Sequence, residues 1–173
     1  EDAILKMHFS DRFPVELVAA EPLVVDPVAI DFGQDGKLWV VEMNDYPMGV
    51  DGQPNGGGKV KFLEDTDQNG TYDRSTLFLD ELPYPTGVMA WRNGVLICAA
   101  PDVIYAEDTD GDGRADIQRV ILRGFATHNY QARVNGLSLG LDNWIYGAGG
   151  LFGGMLQSET RSDVDTQNRD FRF

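Results

Sequence analysis

"PVAIDFGQDGKLWVVEM", residues 27–43, decides the fold, because the chain writes the same sentence three times. "PTGVMAWRNGVLICAAP" (85–101) and "VNGLSLGLDNWIYGAGG" (134–150) follow the same plan. Each is a short apolar segment, a turn signal and a second apolar segment. Val, Ile, Leu, Trp and Tyr dominate the flanks, as strands prefer. The turn dipeptides are Asp35-Gly36, Asn93-Gly94 and Asp142-Asn143. Asp-Gly and Asn-Gly readily supply the positive φ angles of type I′ hairpins. Gly36 to Gly94 is a step of 58 residues and Gly94 to Asn143 a step of 49.

Further strand-like segments lie between the hairpins. "GKVKFLED" and "STLFLDEL" flank one acidic loop, and "DVIYAED" and "IQRVILRG" flank another. The unit is therefore four strands, joined by a tight turn, a variable loop and an acidic loop. Four antiparallel strands repeating at roughly 50 residues are the signature of a β-propeller blade. The sequence predicts an all-β chain with three blades, at about 13–82, 83–125 and an incomplete 126–173. That is half of a six-bladed ring. Either the chain is part of a longer protein or copies assemble to close the ring, and open blade faces should be sticky. No segment carries a helical period. Residues 1–12 could hold one helical turn.

Composition excludes several partners. The 173 residues are 42% hydrophobic and carry a net charge of −14, which disfavours nucleic acid. No apolar run approaches the ~18 residues of a membrane span. Cys98 is the single cysteine, so there is no internal disulfide and no C-x-x-C-H haem site. The chain starts at Glu1 without a charged leader, which reads as a segment whose export signal is already gone.

The acidic loops repeat a cation-binding pattern. "DTDQNGTYD" offers Asp65, Asp67, Asn69, the Thr71 carbonyl and Asp73, and "DTDGDGRAD" offers Asp108, Asp110, Asp112, the Arg114 carbonyl and Asp116. D-x-[DN]-x-[DN]-G is the first half of a calcium loop, where alternate carboxylates converge as glycine turns the backbone. Thr76 and Arg119 stand where a bidentate Glu would follow, so calcium binding should be weak. Acidic β-turns without an ion fit the same letters. Blade topology puts both loops on the hairpin side, at the periphery. The longer loops 43–58, 81–86, 100–102, 125–133 and 147–160 gather on the other side, where Asn44, Asp45 and Tyr46 could line a channel mouth. "GAGGLFGG" (147–154) precedes no helix, so it reads as a flexible loop and not as a phosphate cradle.

"VDPVAIDFGQDGKLWVVEMNDYP", "KVKFLEDTDQNGTYDRSTLFLDELPYPTGV", "EDTDGDGRADIQRVILRGF", "THNYQARVNGLSLGLDNWIYGAGG" and the terminal "RDFRF" carry a family resemblance. The chain resembles the propeller of the membrane-bound dehydrogenase-like proteins, also called PVC-type haem-binding proteins. These are exported bacterial proteins similar to the soluble quinoprotein glucose and sorbosone dehydrogenases. The resemblance implies a six-bladed propeller, a periplasmic or extracellular location, and oxidation of a sugar or polyol with pyrroloquinoline quinone. Longer members add a haem domain; this chain has none. In the quinoprotein relatives a histidine at the start of an inner strand acts as general base, and its place here falls on Asn135, which cannot. His128, in the preceding loop, could take over the base role, for which imidazole is the commonest side chain. Arg133 could hold an anion or a quinone carboxylate. The competing expectation is a non-catalytic, calcium-stabilised module that binds glycans or protein partners.

Overall fold

The computed structural model describes residues 6, 8, 12–47, 56–158 and 170–173. The helical turn proposed for 1–12 lies largely outside the described residues. The described residues are all-β and antiparallel, with no α-helix, as the repeat predicts. No helix among them is long and apolar enough to cross a membrane.

Twelve strands form three sheets. Sheet one is a meander of β1 (Pro27–Phe32), β2 (Leu38–Met43), β3 (Gly58–Glu64) and β4 (Arg74–Leu82). Sheet two is a second meander of β5 (Gly87–Trp91), β6 (Gly94–Ala99), β7 (Asp102–Glu107) and β8 (Ile117–Phe125). Sheet three holds β9 (Asn135–Leu139), β10 (Ile145–Ala148) and β12 (Asp170–Arg172), in the order β9-β10-β12. Each hairpin pairs in the register its apolar flanks require: Asp31 faces Trp39, Met89 faces Leu96, and Ile145 faces Leu139.

The turns differ from the expectation in detail. The first and third hairpins are five-residue loops of one design. Gly33 N–H donates to the Lys37 carbonyl at 2.8 Å, and Gly140 N–H to the Trp144 carbonyl at 2.7 Å. Gly36 and Asn143 take the positive φ, at 83° and 66°. The second hairpin turns on Arg92-Asn93 instead. Arg92 carries the positive φ of 56°. Gly94 already belongs to β6, paired with Trp91.

Residues 147–160 are not simply a loop. Gly154–Ser158 form β11, which adds a fifth strand to sheet two by pairing with β8, Ser158 facing Leu122. Glycines on both sides allow it. A Cβ on Gly124 would lie 2.1 Å from the Met155 carbonyl oxygen, and one on Gly154 would lie 2.2 Å from that of Gly124.

Apolar side chains between the sheets hold them together. Trp39, Phe62 and Phe78 meet edge to face, with ring centroids 4.8 to 6.4 Å apart. They pack with Val41 and Val60 of sheet one against Val88, Val95 and Ile97 of sheet two. On the other side of sheet two, Leu96, Cys98, Val103 and Leu122 pack against Val134, Ile145 and Phe171. Burial pushes the Cys98 thiol up to about 12, so it is an inert packing group. The alternation along β6 thus feeds two cores, which is why all six of its residues are buried.

The outer face of sheet one is partly capped. Ala19 and Val24 lie on Leu38, Val40 and Leu63. Beside them Glu42, 1% exposed, takes Lys61 Nζ and the Val25 N–H at 2.8 Å each. This buried ion pair fastens the 19–25 segment to the sheet. The inner edge of the same face is left open: Val28, Ile30 and Phe32 of β1 are 48–65% exposed.

Candidate functional site

The two ends of the sheets carry different chemistry. At the hairpin end the acidic loops share one framework of hydrogen bonds. The first-position carboxylate accepts the sixth-position glycine N–H at 2.8 Å, as Asp65 does from Gly70 and Asp108 from Gly113. The fifth-position side chain accepts the seventh N–H at 2.8 Å, as Asn69 does from Thr71 and Asp112 from Arg114. The ninth-position carboxylate holds the second-position threonine: Asp73 takes the Thr66 hydroxyl, and Asp116 takes the Thr109 N–H at 2.6 Å and its hydroxyl at 2.9 Å. These bonds hold Asp73 below the usual carboxylate range, led by the Thr66 hydroxyl. Asp116 is held below it likewise, led by the Thr109 N–H.

Three carboxylates converge in each loop. Oxygens of Asp65, Asp67 and Asp73 lie within 4.8 Å of one another, as do those of Asp108, Asp110 and Asp116. Asp112 is not in the second group, and Asn69 serves the Thr71 amide. The loops are less peripheral than the sequence implies. Ala115 N–H donates to the Phe78 carbonyl at 3.0 Å, tying the second loop to sheet one. Tyr72 N–H donates to the Val18 carbonyl at 2.8 Å, tying the first loop to the N-terminal segment.

At the opposite end, three sheets contribute to one cluster. The turn after β2 supplies Asp45 and Tyr46. The approach to β5 supplies Tyr84 and Thr86. The loop before β9 supplies Thr127, Tyr130, Gln131 and Arg133. Asp45 is fully buried and accepts the Tyr84 N–H at 2.8 Å through Oδ2. Arg133 is 6% exposed and donates through Nη2 to the Thr127 carbonyl at 2.8 Å. Its guanidinium lies 4.8 Å from the Tyr84 ring centroid and 5.0 Å from that of Tyr130. The two tyrosines stack at 4.5 Å. Gln131 Nε2 donates to the Tyr46 hydroxyl at 2.8 Å, joining the first and third sheets' loops. Thr86 donates to the Val134 carbonyl, joining the second and third.

Electrostatically this is a dry, balanced site. Burial lowers the Arg133 value, against the opposing pull of Tyr130, Tyr84 and Asp45. Burial raises that of Tyr84. Three buried side-chain atoms among the described residues have no hydrogen-bond partner: Asn44 Oδ1, Asp45 Oδ1 and Arg133 Nε. Asp45 and Arg133 belong to this cluster, whereas the Asn44 side chain donates through Nδ2 to Asp26 Oδ2 at 3.5 Å. Buried polar groups are rarely left so, because each costs its full desolvation. A carboxylate acceptor and a cationic donor close together are complementary to hydroxyls, which both donate and accept.

The structure thus brings together Asp45, Tyr46 and Arg133 from the sequence-predicted set, while the Asn44 side chain meets Asp26. Asn135 opens β9 and is exposed. His128 is exposed, with its ring 4.2 Å from that of Phe152. Tyr84, Tyr130 and Gln131 were not anticipated. The recurrence of Tyr-Pro at 46–47 and 84–85, both next to the long-loop end, is the signal that would have pointed to Tyr84.

Among known families, the chain belongs to the one described as a domain of unknown function, DUF7133, whose model matches residues 1–173. No curated protein and no solved structure matches it.

Proposed function

We propose that the three sheets are consecutive propeller blades and that their long-loop end forms the mouth of an axial site for a polyhydroxylated small molecule, a sugar or polyol. The adjacency of first strands supports the blade reading: β1 packs beside β5, and β5 beside β9. The observation that carries the ligand class is the pair of orphaned polar atoms on Asp45 and Arg133. One hydroxyl would donate to Asp45 Oδ1 and a neighbouring one would accept from Arg133 Nε. Tyr46 and Tyr130, 45% and 39% exposed, offer apolar ring surface beside them.

Pyrroloquinoline quinone fits these residues poorly. It carries three carboxylates, and Arg133 is the one buried cation among the described residues. Its guanidinium is already engaged by a carbonyl and two rings and sits near the Asp45 carboxylate. No oxidative step is therefore routed through these side chains. Sugar oxidation, with His128 as base, remains the expectation of the resemblance and needs a quinone site that these residues do not make. The acidic loops fit calcium as a structural ion, with Asp108, Asp110 and Asp116 as the nucleus of its ligands. Export to the periplasm or beyond, where calcium is plentiful, belongs to the same proposal.

Titration calorimetry against a panel of aldoses and polyols tests the reading, with Arg133→Met as the control. Binding that this variant loses is the expected result. No heat with any member, together with tight quinone binding followed by absorbance, would replace it with the dehydrogenase reading.

A further inference from the structure

Arg133 on its own would draw anions. A guanidinium is the side chain best suited to a carboxylate or phosphate, which it grips with two parallel N–H groups. Two neighbours alter that preference here. Nη2 already donates to the Thr127 carbonyl at 2.8 Å, which commits one of the guanidinium nitrogens. The second neighbour is the Asp45 carboxylate, and it is fully buried.

Tyr84 places the two charges together. Asp45 Oδ2 accepts the Tyr84 N–H at 2.8 Å and the Gly57 N–H at 3.4 Å. The Arg133 guanidinium lies 4.8 Å from the ring of the same tyrosine. Burial works against the Arg133 charge, and Asp45 is among the groups that offset it. Yet no ion pair joins Asp45 and Arg133 among the described residues. Asp45 Oδ1 and Arg133 Nε are both buried without a partner. What stays open is one negative acceptor and one cationic donor, whose charges cancel.

Resting on the sugar reading of this site, we propose that Asp45 is its selectivity residue: the carboxylate restricts the ligand to neutral sugars and polyols and excludes sugar acids and sugar phosphates. An anionic oxygen on Arg133 would stand close to a carboxylate oxygen that has no donor of its own. Like charges so placed repel strongly, because little solvent screens them. A hydroxyl meets no such cost, since it can donate to Oδ1 or accept from Nε. Asp45→Asn separates charge from shape. Its amide oxygen can still accept the Tyr84 N–H, while its amide nitrogen takes the place of Oδ1 and offers donors instead of an acceptor.

Titration calorimetry on the intact chain tests this with matched pairs that differ at one carbon: glucose and glucuronate, galactose and galacturonate, sorbitol and gluconate. The wild type should favour the neutral member of a pair by ~100-fold or more, a comparison that depends on no variant. Asp45→Asn should bind the acid about 100-fold more tightly than the wild type does, and the neutral member about tenfold more weakly. Adding Arg133→Met should remove the gain. A wild type that binds an acid as tightly as its neutral partner would overturn the proposal. So would an Asp45→Asn chain, folded by its melting curve, that gains no affinity for any acid. A wild type that takes none of the neutral members sinks the sugar reading instead. Acid affinity that arises only in Asp45→Asn, and is lost with Arg133, would even then uphold Asp45 as the group that keeps anions out.

Discussion

The hairpin end and the long-loop end of the same sheets treat charge in opposite ways. The acidic loops put seven Asp carboxylates and Asn69 into two short turns, yet hydrogen bonds within the loops use most of them. The long-loop end holds one buried carboxylate and one buried guanidinium and leaves polar atoms of both unpartnered. Density of charge along the sequence therefore does not mark where a ligand is needed. Unsatisfied polarity under burial does, because exposed charges are solvated and buried ones are not.

The largest effect expected from this contrast comes from a third place. Glu42 is 1% exposed and depends on Lys61. Lys61→Met should cost about 3–5 kcal/mol in urea unfolding, since it strands a buried charge. A cost below that of an ordinary surface substitution would mean that burial does not decide the worth of a charge here. Next is Asp45→Ala, which strands the buried Tyr84 N–H. It should cost about 1–3 kcal/mol and abolish sugar binding. A loss of stability with binding intact would move the ligand elsewhere.

The acidic end can break the comparison if the loops need an ion. Calcium at ten times its dissociation constant should stabilise by about 1.4 kcal/mol. Asp110→Ala should remove much of that gain and leave sugar binding at the far end unchanged. If chelator leaves the melting temperature of the wild-type chain as it was, the hydrogen bonds alone suffice.

What the sequence made legible follows from range. The strand pairs could be read because period-two alternation and turn dipeptides are local. Asp35-Gly36 and Asp142-Asn143 both sit in the hairpin turns, with Gly36 and Asn143 at positive φ. Arg92 was missed because an arginine at positive φ has no letter-level signature, whereas Asn93-Gly94 beside it looks like one. β11 is illegible in the sequence because glycine-rich letters signal a flexible loop, whereas Gly154 serves close approach to Gly124. Asn44, Asp45 and Tyr46 were legible through topology, and Arg133 through the family resemblance. Tyr84 and Tyr130 were not, because their stacking joins segments that only the packing of sheets brings together.

The smallest effect concerns pH. Asp73 and Asp116 are held below the usual carboxylate value by donors from Thr66 and Thr109. Below that usual value the unfolded chain takes up protons that the folded loops still refuse. Stability contributed by these groups is thus complete above the ordinary carboxylate range and is lost as pH falls through their depressed folded values. Both side chains are exposed, so solvent and salt screen the effect. Asp116→Asn keeps an acceptor for the Thr109 N–H but cannot titrate. Unfolding free energy measured from about pH 5 down to about pH 2 should therefore fall less steeply in Asp73→Asn/Asp116→Asn than in the wild type. Equal slopes would show that the loops discharge no differently folded or unfolded, and that the threonine bonds do not distinguish the charged carboxylate from the neutral one.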